Sequence, residues 1–73
     1  MSDVTVHVDE NLDARSLHRL QHELAHMRGV EKIDADDRHP QLMVVRYDHR
    51  ETDSRQILST FFGHGYHAEL IGF

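Results

Sequence analysis

Seventy-three residues with a formal charge of −5 suffice for one small domain with one modest core. The acidic balance argues against nucleic acid, which needs a basic patch, and the absence of cysteine removes disulfides, thiolate ligands and thiol nucleophiles. No apolar run nears the roughly 18 residues of a membrane span, and "MSDVTVHVDE" lacks the basic and apolar regions of an export signal, so a cytoplasmic single domain over residues 1–73 is expected.

Val4, Val6 and Val8 alternate with Thr5, His7 and Asp9, which reads as a half-buried strand. Asn11 or Asp13 can cap a helix. Leu17, Leu20, Leu24 and Met27 then recur at helical spacing, predicting a helix near 13–28, with Gly29 suited to a left-handed end. Val30, Ile33 and Ala35 suggest a short strand, "DDRHPQ" a polar turn, and "LMVVRY" a strongly β-prone strand. Asp53 can cap the next helix, with Gln56 three residues on. Ile57, Leu58, Phe61 and Phe62 form that helix's apolar face over 54–63, "GHGY" ends it, and "HAELIGF" alternates as a final strand.

The order β-α-β-β-α-β is the ferredoxin-like pattern of an α+β domain: a four-stranded antiparallel sheet with two helices on one face. Alternation turns Val4, Val6, Val8, Met43, Val45, Tyr47, Ala68 and Leu70 toward the helices. Thr5, His7, Leu42, Val44, Arg46, His67, Glu69 and Ile71 turn the other way. Leu42, Val44 and Ile71 would then form an apolar patch on the uncovered face, where a partner could dock; the alternative is scattered surface aliphatics.

Three stretches carry a family resemblance: "MRGVEKID", "VVRYDHRETDSRQI" and "HGYHAEL". With Gly29–Val30 after the first helix, Tyr47–Asp48 ending the third strand and Gly65–Tyr66 before the fourth, nearly the whole chain resembles the heavy-metal-associated domains of copper chaperones and metal-pumping ATPases. The resemblance implies the same fold. That family binds soft metals through Cys-x-x-Cys at the start of helix one, positions that fall here on Asp13 and Ser16. Neither replaces a thiolate toward copper(I), which prefers sulfur. The only sulfurs are Met1, Met27 and Met43, the last two assigned to the core, so weak copper(I) binding is expected. Histidine and carboxylate suit zinc, nickel, cobalt or copper(II) instead.

Eight histidines offer several ligand sets, and their charging near pH 6 would erase the negative balance. In the family's metal location, the loop after strand one gathers Asp9, Glu10, Asn11 and Asp13 against His64, Tyr66 and His67. Asp9, Asp13, His64 and His67 are the first-choice ligands; the competing role of the acidic loop is to cap a helix. "HRLQHELAH" places His18, His22 and His26 on the side of the helix away from the leucines. His18 and His26 are roughly 12 Å apart along the axis, so one ion cannot take all three. His22 and His26, with Glu23 nearby, are the second choice, on what is otherwise a solvated face. His7, His67 and Glu69, on adjacent strands of the open face, make a third set, including across a dimer. His39 and His49 lie in turns and receive no role.

Enzymatic readings fail. The acylphosphatases of this fold need a phosphate-cradling loop, and here that loop is acidic. RNA-recognition domains need exposed aromatics on the central strands, and Ser16 has no evident base. The expected function is a small metal-binding or metal-trafficking module for a divalent ion. The alternative is a protein-interaction or assembly module that has lost metal binding. A metal transporter, another protein or a second copy would meet the open sheet face; no nucleic acid or membrane is expected as partner.

Overall fold

The computed structural model describes residues 2–36 and 38–71. Its elements are β1 (Ser2–Val8), α1 (Ala14–Ala25), β2 (Val30–Asp36), β3 (His39–Tyr47), α2 (Ser54–Gly63) and β4 (Ala68–Ile71). They form one antiparallel sheet in the order β2-β3-β1-β4. Met1, Asp37 of the "DDRHPQ" turn and the Gly72–Phe73 end of the last expected strand lie outside the described residues.

Helix formation follows the apolar period. Leu17, Leu20 and Leu24 from α1 and Ile57 and Phe61 from α2 bury against Val6, Val8, Met43 and Val45 of the two central strands. Burying a side chain of this size contributes about 1.5–3 kcal/mol, so these residues hold both helices on one face. The other face stays uncovered. Each helix begins as expected: the Asp13 carboxylate accepts the Ser16 backbone N–H at 2.7 Å, and that of Asp53 accepts the Gln56 N–H at 2.8 Å. The Gln56 side chain accepts the hydroxyl of the buried Thr52.

Two boundaries differ from the sequence expectation. Helix α1 stops at Ala25 rather than near residue 28, because the amides of His26 and Met27 turn to the Glu23 and Leu24 carbonyls in a tightened last turn. Met27 therefore packs on the core edge from beyond the helix, its sulfur accepting the Thr60 hydroxyl. Gly29, at φ +92°, belongs to the turn into β2 rather than to the helix end. Strand β3 also starts early, taking in His39 and Pro40. The proline is tolerated there because β1 pairs with β3 only as far as His7↔Leu42, and the β2 ladder is irregular at Ala35/Asp36. Leu70 lies in register with Val6 yet is exposed, as an edge strand permits.

Candidate metal centre

Strand alternation and one register build the site. His7 lies opposite Leu42 on β3 and opposite Glu69 on β4, all on the uncovered side. Asp9, two residues after His7, projects to the same side. Its backbone N–H reaches the His67 carbonyl at 2.8 Å, carrying the β1–β4 pairing past the end of the strand. Ligand-capable atoms of His7, Asp9 and Glu69 all fall within 4.8 Å of one another; among the described residues, this is the group of three or more His, Asp or Glu side chains so placed.

The His7 Nδ1 is the telling atom. It stands 3.5 Å from Asp9 Oδ1 and 3.8 Å from Glu69 Oε1, yet it is buried with no hydrogen-bond partner among the described residues. The ion-pair distances and the missing hydrogen bond are compatible, because both oxygens stand off too far for a good bond. An unsatisfied buried polar atom costs about 1–3 kcal/mol. A divalent ion with ligands at about 2.0–2.2 Å in a tetrahedron has ligand–ligand edges of roughly 3.3–3.6 Å. The two Nδ1 separations are near that range. Nitrogen and carboxylate donors here can hold a borderline or hard divalent ion.

The first-choice residues from the sequence are distributed differently. Asp9 belongs to the group just described. Asp13 is engaged as the α1 cap, and the Ser16 backbone N–H it accepts holds its carboxyl below the usual range. His64 caps the end of α2 and lines a small cleft with Ser16, Arg19, Leu20 and Tyr66; the Arg19 cation there opposes a metal ion. His67 faces Glu10: its backbone N–H donates to Glu10 Oε1 at 2.8 Å, and its Nδ1 lies 2.7 Å from Oε2. The loop after β1 does lie beside the start of β4, as the fold requires. The sequence places Glu10 in the same neighbourhood as His67, and the register makes the two direct partners.

The Glu10–His67 clamp has a pH signature. The hydrogen bonds from the His67 ring and backbone lower the Glu10 carboxyl from 4.5, and the bond to Glu10, with its charge, raises the His67 imidazole from 6.5. A lowered acid stabilises the fold above its unfolded value and loses that as pH falls; a raised imidazole stabilises below its unfolded value and loses that as pH rises. The clamp should therefore contribute most between pH 4.5 and 6.5. Melting wild type and Glu10→Gln across pH in a chelating buffer should show their gap widest in that window. A gap constant with pH would refute the assignment.

The uncovered face also carries Leu42, Val44 and Ile71, exposed by 37%, 39% and 37%. Register places Ile71, Thr5 and Val44 in one row and Leu42 beside His7, so the three aliphatics adjoin the candidate centre. The histidines of "HRLQHELAH" are exposed, His18 and His22 on α1 and His26 as its C-cap. No helix of the described residues is long and apolar enough to cross a membrane.

No family model and no curated protein matches the chain. Solved structures do. A copper-binding domain of HMA7, a P-type ATPase, superposes with TM-score 0.88 and 19% identity, covering 99% of this chain and 96% of its own. Oxidized MerP from Ralstonia metallidurans CH34 gives 0.86 at 18% identity, over 97% of each chain. The copper chaperone of Enterococcus hirae, in its apo form, gives 0.81 at 20% identity, over 93% of this chain and 98% of that one. At such identities the shared property is the fold, the ferredoxin-like arrangement of heavy-metal-associated domains.

Proposed function

We propose, with the heavy-metal-associated fold as premise, that this protein is a small metal-handling module that takes a divalent ion on the uncovered face of its sheet. The observation that carries the reading is the unsatisfied His7 Nδ1 between the Asp9 and Glu69 carboxylates. Proteins of like fold include a copper-binding ATPase domain and a copper chaperone, which supports handling of metal as cargo. Copper(I) suits this chain poorly. The positions of the family's two thiolates hold the Asp13–Ser16 cap, Met43 is buried in the core, and the Met27 sulfur accepts a hydroxyl. Zinc, nickel, cobalt and copper(II) match imidazole and carboxylate.

Three protein ligands leave a tetrahedral ion one open position. A carrier needs such a position, because a partner can add a ligand before the others let go. Leu42, Val44 and Ile71 offer the receiving protein, a metal transporter in this reading, an apolar surface beside the ion.

Titration calorimetry of the metal-free protein with zinc, nickel, cobalt and copper(II) tests the reading. One tight equivalent per chain is expected, weakening below about pH 6 as protons compete for imidazole. The same titration of Asp13→Ala with His64→Ala distinguishes the loop set Asp9, Asp13, His64 and His67: a loss of tenfold or more would move the site there, and unchanged binding keeps it on the sheet. Absence of any binding near the micromolar range would leave the open face as a protein-docking surface without metal.

A further inference from the structure

The i, i+4 histidines at the end of α1 have a geometry that a solvated face does not require. The rings of His22 and His26 lie with centroids 4.3 Å apart, tilted by 50°. The His26 Nδ1 is 2.8 Å from the His22 carbonyl oxygen. A carbonyl oxygen only accepts, so Nδ1 carries the proton and the lone pair of the neutral ring is left on Nε2. Metal-bound histidines are commonly prepared in this way, one ring nitrogen anchored on a backbone carbonyl and the other free to ligate.

The position adds an electrostatic term. His22 lies in the last turn of a 12-residue helix and His26 is its C-cap. The carbonyl ends of the last turn carry partial negative charge, which favours a cation there, and the Glu23 carboxylate lies between the two histidines in sequence. Helix α1 packs on the covered side of the sheet, whereas His7, Asp9 and Glu69 face the uncovered side, so one ion cannot serve both.

We propose that His22 and His26 form a second divalent-metal site, a two-imidazole chelate suited to copper(II), nickel or zinc. Imidazole pairs favour copper(II) among the divalent ions, and water fills the remaining positions. With two ligands rather than three, this site is weaker and exchanges faster than the one on the sheet. It stands independently of the sheet-face reading.

Zinc titrated into the full chain, followed by long-range proton–nitrogen spectra of the imidazoles, tests it. A weaker equivalent should shift the Nε2 signals of His22 and His26 while the His26 Nδ1 stays protonated. His22→Ala and His26→Ala should each weaken that equivalent by at least about tenfold, because a chelate reduced to one donor loses its local-concentration advantage. His18→Ala, on the same helix face but outside the ring contact, should retain it. His7→Ala should retain it too, which separates this result from failure of the sheet site. Ligation of His26 through Nδ1, or a second equivalent surviving in both His22→Ala and His26→Ala, overturns the proposal.

Discussion

His7→Ala should lose the tight divalent equivalent, with affinity falling at least about a hundredfold, or roughly 2.8 kcal/mol at 1.4 kcal/mol per tenfold. The imidazole is the only nitrogen donor of the group, and Asp9 and Glu69 alone are two well-solvated carboxylates. His7→Leu sharpens the test. The buried Nδ1 has no hydrogen-bond partner among the described residues, so an apolar replacement removes an unsatisfied group and should leave the melting temperature of protein kept in chelator equal to wild type or higher. Loss of binding without loss of stability is the signature of a residue kept for a ligand rather than for packing. Wild-type affinity in both variants, by calorimetry, would remove His7 from the site.

Gly29→Ala should be the most damaging of the small backbone changes, destabilising by about 2–3 kcal/mol and lowering the melting temperature by roughly 10–20 °C for a domain of this size. Gly29 sits at φ +92°, and an added Cβ would come 2.7 Å from the Glu51 Cβ and 3.0 Å from the Thr52 Cγ2. Those atoms cannot give way easily. The Glu51 and Thr52 amides both bond the Asp48 carbonyl, the Asp48 amide bonds the Gly29 carbonyl at 2.8 Å, and Arg28 pairs with the Glu51 carboxylate. Gly65 is the internal control: its φ is +85° but nothing among the described residues lies within 4 Å of an added Cβ. Gly65→Ala should therefore show the conformational part alone, about 1 kcal/mol. Equal thermal shifts for the two variants would show that the contact with Glu51 and Thr52 costs nothing.

Gly29 also marks where sequence reasoning reaches its limit. Its preference for a left-handed conformation follows from residue type, and the positive φ is there. Its contact with the turn after β3 spans more than twenty residues and has no sequence signal. Pro40 is similar: a proline in "DDRHPQ" reads as a turn, yet β3 includes it because its neighbours' ladders end or slip beside it.

The faces of β1 and β3, the Leu17/Leu20/Leu24 and Ile57/Phe61 stripes and the Asp53 cap were determined by the sequence alone, because each depends on residues within one or two turns or pleats of each other; the choice of Asp13 over Asn11 as the first cap was not, and Phe62, expected on the apolar face of α2, is exposed. From those local periods the β-α-β-β-α-β order and the antiparallel sheet follow. Which histidine meets which carboxylate was decided by tertiary structure. The trio depends on the His7↔Glu69 register between β1 and β4, and a slip of one residue would send Glu69 to the helix side and disband it. Glu10 finds His67 through the same register. Val6 and Val8 are buried beneath the helices while their partners Leu70 and Ala68 are exposed and half-buried, so the pattern of β4 alone does not specify the register, and a site built across it becomes legible only once the sheet has closed.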